Sequence, residues 1–158
     1  MNLTKLLVAN RGEIAVRTMQ TAATLGISTV AVAPSDDLEA GHTDRADEFV
    51  KLEGSGPAAY LDVGQIVAIA VSTGCDAVHP GYGFLSENVE FAEACAEAGL
   101  NFVGPTPDTL RVFGDKTAAR SVAKGLSVPM LRGTTGATSL SEAEQFLADL
   151  GEGATVMV

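Results

Sequence analysis

The sequence has no tryptophan, only two cysteines, and ten lysine and arginine residues against twenty aspartates and glutamates. Cys75 falls in a predicted strand and Cys95 on the apolar side of a predicted helix, so we expect buried free thiols and neither a disulfide nor a metal pair. A formal net charge of −10 disfavours binding to the phosphates of a nucleic acid, which requires clustered lysine and arginine. No apolar run approaches membrane-spanning length, and no charged leader precedes one, so we expect a cytoplasmic protein that binds neither nucleic acid nor membrane.

Apolar segments with strand character alternate with segments of helical periodicity along the first two thirds of the chain. This order predicts an α/β fold with a doubly wound, mostly parallel sheet and right-handed crossovers. A length of 158 residues is enough for such a core without disulfides or metal. Strand patterns cover 5–9, 28–33, 49–52, 75–78 and 101–103, and helix patterns cover 12–25, 60–73 and 87–98.

A domain boundary is predicted near 105–114, where Gly-Pro-Thr-Pro opens one short helix and Gly-Asp begins another. Asp115 is the expected cap of that second helix. A strand beginning at the end of the chain with nothing after it looks unfinished, so we expect a truncated second domain. Its predicted elements are a helix over 116–125, a strand over 128–131, a helix to Leu150 with a capping box of Ser141 and Glu144, and a strand over 155–158.

The segment 79–88 reads His-Pro-Gly-Tyr-Gly-Phe-Leu-Ser-Glu-Asn and joins a strand end, a double-glycine turn and a helix start. Gly81 and Gly83 permit backbone angles that other residues rarely adopt, and Ser86 is the expected helix cap. Tyr82 then lies at a carboxyl strand end, where ligands bind in open α/β sheets. The alternative is that the glycines only make a tight connection with Tyr82 packed over it.

The segment 9–15, Ala-Asn-Arg-Gly-Glu-Ile-Ala, follows the first strand and opens a helix, a position where nucleotide-binding folds hold phosphate. Gly12 stands alone there, without the Gly-x-Gly-x-x-Gly spacing that brings backbone against a pyrophosphate. We therefore do not expect an NAD site.

The two histidines give no catalytic or metal-binding pattern. His42 is isolated in the sequence, and neither it nor His79 has a partner at metal-ligand spacing. For His79, a strand-end side chain satisfied by backbone hydrogen bonds is favoured over a proton-transfer role. No Ser-His-Asp or Cys-His set indicates a nucleophile.

Four segments together resemble the amino-terminal part of biotin carboxylase, in the family's order and spacing. The resemblance runs from about Lys5 to the end of the chain and covers only the front of that enzyme. It implies a Rossmann-like pre-ATP-grasp domain over 1–112 and the incomplete start of an ATP-grasp domain over 113–158. The matching segments are 6–17 (Leu-Leu-Val-Ala-Asn-Arg-Gly-Glu-Ile-Ala-Val-Arg), 79–88, 102–105 (Phe-Val-Gly-Pro) and 114–120 (Gly-Asp-Lys-Thr-Ala-Ala-Arg).

The same resemblance implies roles for five residues. Lys116, in the Gly-Asp-Lys motif, would contact ATP phosphate. Tyr82 and Gly83 would border the biotin and bicarbonate pocket. Arg11 would line the cleft edge, and Arg17 would lie at a dimer interface, the alternative for Arg17 being an ordinary solvated arginine. No catalytic residue and no metal ligand of the family falls within this chain.

The intact enzyme that the resemblance implies uses ATP, Mg²⁺ and bicarbonate to carboxylate biotin on a carrier. Its expected partners are a biotin carboxyl carrier, a carboxyltransferase component and a second copy in a homodimer. The chain alone is expected to be inactive and to bind none of these cofactors tightly. The acceptor, among acetyl-CoA, propionyl-CoA, pyruvate and urea, stays open. Two alternatives are another ATP-grasp ligase, such as the carbamoyl phosphate synthetase large subunit, and a non-catalytic ligand-binding or dimerisation module.

Overall fold

The computed structural model of the chain describes residues 3–134, 136–151 and 153–156. The chain divides into two compact units, of which the first runs up to Arg111 and the second starts at Val112. The strands, all in the first unit, are β1 (Lys5–Val8), β2 (Ser28–Pro34), β3 (Glu48–Leu52), β4 (Ala77–His79) and β5 (Asn101–Phe102). The helices are α1 (Gly12–Thr24), α2 (Gly56–Ala59), α3 (Val63–Ser72), α4 (Val89–Glu97), α5 (Pro107–Gly114), α6 (Lys116–Gly125) and α7 (Leu140–Leu150), with one 3₁₀ turn at Thr43–Arg45.

The five strands in the described part of the first unit form one sheet in the spatial order β3-β2-β1-β4-β5. Every neighbouring pair is parallel, and Leu7 of β1 lies opposite Val30 of β2 on one side and Val78 of β4 on the other. The predicted doubly wound α/β fold is therefore confirmed. Central strands of such a sheet are apolar on both faces because helices cover both.

Two buried clusters lie on the two faces of the sheet. Leu6 belongs to the cluster that contains Met19 of α1, whereas the adjacent Leu7 belongs to the cluster with Ile66 of α3 and Phe91 of α4. Successive strand residues point to opposite faces, so one short strand serves both clusters. The first unit thus has a hydrophobic core on each face of its sheet.

Both cysteines are free and buried, as predicted. Burial raises the pKa of the Cys95 thiol to about 11, and burial likewise raises the pKa of Cys75. Such thiols stay protonated near neutral pH and react slowly. Cys75 precedes β4, which begins at Ala77, so the strand expected over 75–78 starts later than predicted.

The helix expected over 60–73 forms as α3 but starts three residues later than predicted, at Val63, and the short helix α2 that precedes it was not predicted. The Asp62 carboxylate accepts a hydrogen bond from the Gln65 backbone N–H at 2.9 Å and caps α3. Pro57 lies at the start of α2, where its missing N–H costs nothing. The aspartate therefore sets the later start of α3, and the proline begins a separate short helix before the predicted range.

Two predicted helix caps are also displaced. α4 is capped by Asn88, whose side-chain oxygen accepts from the Phe91 N–H at 2.7 Å, and not by Ser86. The capping box of α7 is formed by Ser139 with Glu142, and not by Ser141 with Glu144. In the second case both pairs have the same spacing, so the sequence pattern alone does not choose between them.

The second unit contains α6 and α7. The Asp115 carboxylate accepts from the Ala118 N–H at 2.7 Å, which confirms the predicted cap and the helix over 116–125. Residues 128–131 form no strand, and this unit has no strand among its described residues with which they could pair. The strand expected over 155–158 falls partly outside the described residues, and Thr155 and Val156 are not in a strand.

Candidate functional site

The centre of the sheet is the place where its strand order reverses. The chain builds β1, β2 and β3 toward one edge and then returns to place β4 and β5 on the other side of β1. The carboxyl ends of β1 and β4 are therefore adjacent, and the Ala9 N–H donates to the His79 carbonyl at 2.9 Å. Ligands of open α/β sheets bind at such a switch point. Here it joins the two motifs that the sequence contains at 9–15 and 79–88.

Asn10, which follows β1, links the two strand ends. The residue is 2% exposed, and its Nδ2 donates to the carbonyl oxygens of Pro80 at 2.7 Å and Tyr82 at 2.9 Å. Its Oδ1 accepts from the Arg11 N–H at 2.9 Å. One buried amide thus holds a turn about seventy residues away in the sequence. The residues of this turn, 80–83, are called the strand-end turn below.

Gly81 and Gly83 adopt the left-handed conformations that the sequence predicted, with φ of 66° and 65°. At Gly81 a Cβ would lie 2.6 Å from the Asn10 Nδ2, so the site excludes any side chain on two grounds. At Gly83 a Cβ would meet nothing within 4 Å, and only the backbone angle requires glycine. The space beside Gly83 is therefore open.

Tyr82 is 65% exposed. The alternative interpretation of this segment, in which Tyr82 packs over the turn, is therefore wrong. Its carbonyl is held by Asn10 while its ring faces solvent. The structure therefore places an exposed aromatic ring on a fixed backbone at the carboxyl edge of the sheet.

His79 ends β4, and its Nδ1 accepts a hydrogen bond from the Gly81 N–H at 3.0 Å. This agrees with the favoured interpretation of a strand-end histidine satisfied by the backbone. An accepting Nδ1 places the ring proton of the neutral imidazole on Nε2. Burial lowers the pKa of His79, which favours that neutral form.

Arg11 takes part in a second group of side chains beside the turn. Its guanidinium makes a bidentate ion pair with Asp37, and the Tyr60 hydroxyl donates to the same carboxylate at 2.7 Å. The hydrogen bonds from Arg11 hold the pKa of Asp37 below its usual range. These residues, together with Asp36 and Gly56, line a cavity of about 120 Å³.

Sequence reasoning named Arg11 but missed Asp37 and Tyr60. Asp37 follows β2, whose carboxyl end lies at the same edge, so the pattern of strand ends could have indicated it. Tyr60 was expected inside a helix, and nothing local pointed to its contact with residue 37. His42 was also missed: it is fully buried, its Nε2 lies 3.0 Å from the Val32 carbonyl, and its Nδ1 has no hydrogen-bond partner among the described residues.

The two remaining predicted residues lie elsewhere. Arg17 is exposed on α1 in the first unit, and Lys116 is exposed at the first position of α6 in the second unit. The second unit also has a groove of about 330 Å³ whose basic lining residues are Arg120, Lys124 and Arg132, whereas Lys116 does not line it. The structure thus brings Arg11, Tyr82 and Gly83 to one sheet edge.

The described residues contain neither a metal-binding cluster nor a membrane-spanning helix. In 3–134, 136–151 and 153–156, no group of three or more His, Cys, Asp or Glu side chains is placed to hold a metal ion. Over the same ranges, none of the helices combines the length and the apolar character needed to cross a membrane.

Known proteins resemble this chain over most of its length. Residues 2–110 match the family model described as "Biotin carboxylase, N-terminal domain". The chain is 47% identical to biotin carboxylase 2, chloroplastic, of Populus trichocarpa over 150 residues, which are 93% of this chain and 28% of that protein. It therefore spans less than a third of this relative.

Solved structures show the same fold. The biotin carboxylase domain of a single-chain bacterial carboxylase is 53% identical with a TM-score of 0.90, over 94% of this chain and 34% of that one. The biotin carboxylase domain dimer of Hydrogenobacter thermophilus 2-oxoglutarate carboxylase, solved with MgADP, ADP and bicarbonate, is 38% identical with a TM-score of 0.90, over 96% of this chain and 34% of that one. Since the family model covers more than half of the residues, the chain belongs to the biotin carboxylase N-terminal domain family.

Proposed function

We propose that this chain supplies the front part of an enzyme that uses MgATP and bicarbonate to carboxylate biotin on a carrier. The observation that carries the proposal is the exposed Tyr82 on a turn fixed by the buried Asn10, at the point where the strand order reverses. The family match favours this activity over that of a carbamoyl phosphate synthetase.

In this proposal the strand-end turn forms one edge of the pocket for biotin and bicarbonate. Biotin has an apolar bicyclic ring with a polar ureido group, and an exposed aromatic ring beside an open glycine suits the apolar part. The open space at Gly83 would let the ligand approach the backbone closely. Arg11, held by Asp37, would line the same edge as a fixed cation.

Lys116 is proposed to contact ATP phosphate. It is exposed at the start of α6, and Asp115 caps the helix through its own side chain. An ammonium on a flexible stem suits a phosphate group. The described residues offer no set of carboxylates for Mg²⁺, so we expect the chain alone to bind MgATP weakly and to be inactive.

The domain assignment and the partners belong to the same proposal. Residues 1–112 would be the amino-terminal domain of a biotin carboxylase and 113–158 the start of its ATP-grasp domain. The enzyme would work in the cytoplasm with a biotin carboxyl carrier and a carboxyltransferase component, as a homodimer with Arg17 at its interface. A dimer is named for the Hydrogenobacter thermophilus domain, which supports this arrangement.

The test uses a complete biotin carboxylase that carries this sequence as its front part. We expect Tyr82→Ala to raise the KM for biotin by about tenfold, the factor that corresponds to about 1.4 kcal/mol of lost binding. The KM for ATP should stay unchanged. Phe49→Ala is the matched control, because Phe49 is another partly exposed aromatic residue of the same unit. Equal effects of the two substitutions, or no effect of either, would contradict the proposed biotin edge.

Lys116 is tested in the same enzyme. We expect Lys116→Ala to raise the KM for ATP by about tenfold or more, since a charge-assisted contact to phosphate is lost. Lys124→Ala is the control, because Lys124 is also an exposed lysine of α6. Tight MgATP binding by the chain alone, abolished by Lys116→Ala, would overturn the view that the chain holds an incomplete site.

A further inference from the structure

We propose that Asn10 is a positioning residue: from the end of β1 it sets the shape of the strand-end turn and thereby the position of Tyr82 and Gly83. The proposal deepens the function proposed above and rests on it for what the turn faces. Its structural part stands on the contacts of one buried amide.

The partners of Asn10 define how its side chain must be oriented. Two backbone carbonyls, those of Pro80 and Tyr82, accept from Nδ2, and one backbone N–H, that of Arg11, donates to Oδ1. Only an amide offers two donors and an acceptor in this planar arrangement. A carboxylate of the same shape would place an oxygen against two carbonyl oxygens. The contacts therefore require a side-chain amide at this position and not merely a polar residue.

The two carbonyls that Asn10 holds lie on either side of Gly81. The same Nδ2 lies where a Cβ at Gly81 would come within 2.6 Å, so the amide also fills the space over the glycine. Hydrogen bonds on both sides and direct contact in the middle fix the path of the backbone through the turn. A change at Asn10 must therefore shift the residues that follow, beginning with Tyr82.

Few other hydrogen bonds hold the turn. The Gly81 N–H donates to His79, and the Gly83 carbonyl accepts from the Ser86 N–H at 2.9 Å. The Tyr82 ring is mostly exposed and does not anchor itself in the core. Of the described contacts, the bond from Asn10 is the one that ties the Tyr82 backbone to the centre of the sheet. A substitution of Asn10 should therefore change the position of Tyr82 at the proposed ligand edge.

The first measurement needs no substitution. In the 158-residue chain, we expect the Asn10 side-chain amide protons to exchange slowly with solvent and to show proximity to Gly81 by NMR. The side-chain amide of Asn101, an exposed residue of β5, is the internal control and should exchange fast. Exchange at Asn10 as fast as at Asn101 would overturn the proposal.

The second measurement compares Asn10→Asp with Asn101→Asp. We expect the backbone amide signals of Tyr82 and Gly83 to shift in the first variant and to stay in place in the second. In the complete enzyme, Asn10→Asp should raise the KM for biotin by about tenfold or more while leaving the KM for ATP unchanged, because a small misplacement of a positioning group costs binding.

The outcomes separate this inference from the proposed function. Unmoved Tyr82 and Gly83 signals in a folded Asn10→Asp chain would overturn the positioning role. Shifted signals with an unchanged KM for biotin would support that role and contradict the biotin edge instead. If the variant does not fold, the exchange rate of the Asn10 amide in the unmodified chain still decides.

Discussion

The two compact units of this chain differ in what they bury. The first unit has a core on each face of its sheet, with residues such as Leu7 and Phe91 wholly inaccessible to solvent. Among the described residues from Val112 onward, none is buried, although α6 and α7 have well-formed caps. Capping residues are therefore enough to start a helix, whereas a hydrophobic core requires layers of secondary structure that cover one another.

A large-to-small substitution of an aromatic residue should give the largest difference in lost stability between the two units. We expect Phe91→Ala to lower the free energy of unfolding of the first unit by about 3–5 kcal/mol, because it leaves a cavity in a fully packed cluster. Phe146→Ala in α7 should cost less, about 1 kcal/mol, since Phe146 is only partly buried and none of the described residues from Val112 onward is fully buried. Urea denaturation followed by amide exchange in each unit measures both values, and similar losses would refute the contrast.

Within the first unit, the strand-end turn should show how a buried neighbour adds to backbone strain. We expect Gly81→Ala to destabilise by about 3 kcal/mol, because it combines an unfavourable φ with a clash against Asn10. Gly83→Ala, which has nearly the same φ and open space, should cost only about 1 kcal/mol. Denaturation midpoints of the two variants measure the difference, and equal midpoints would mean that Asn10 yields to the added methyl.

Removal of a helix cap should lower stability in the first unit but only helical content in the second. We expect Asp62→Ala to lower the stability of the first unit by about 1 kcal/mol, because α3 is packed against its core. Ser139→Ala should reduce the helical content of α7 without moving the unfolding midpoint of the first unit. Circular dichroism and urea denaturation report these effects. Asp62→Asn, which keeps an accepting oxygen, is the control and should behave like the unmodified chain.

The smallest expected effect is a pH dependence carried by His79 in the first unit. Burial lowers the pKa of His79 from its ordinary 6.5, so the unfolded chain binds more protons in acid. The stability that the neutral, buried His79 contributes is complete above about pH 6.5, and it is lost as the pH falls through the folded-state pKa of His79. His79→Asn should remove this slope, because an amide oxygen can accept the Gly81 N–H without titrating. An unchanged slope in that variant would assign the dependence to another group.

Alternation of strand and helix patterns predicted the parallel sheet, and the prediction holds because β1 and its neighbours are apolar on both faces. The glycine angles at Gly81 and Gly83 and the Asp115 cap were also predictable, since each depends on residues within a few positions. The strand predicted over 128–131 does not form, because a strand needs a partner strand for its hydrogen bonds, and the local pattern does not show whether a partner is present.

The ligand-edge contacts were less predictable than the elements that carry them. Arg11, Asp37 and Tyr60 follow or lie between different elements, and their hydrogen bonds span 23 to 26 positions. The bonds of Asn10 to the strand-end turn span 70 and 72 positions. Such contacts leave no periodic signal, and in the sequence Asn10 looked like one residue of a phosphate-type loop.

Short runs of residues specify the alternation of strands and helices in the first unit, the angles at Gly81 and Gly83 and the family resemblance, because each of these depends on neighbouring positions. Three features follow from the fold and not from local sequence: Asn10 lies against Gly81, Arg11 pairs with Asp37, and His42 is buried. The physical reason is that the sheet order brings the ends of β1, β2 and β4 together at one edge, although they are distant along the chain.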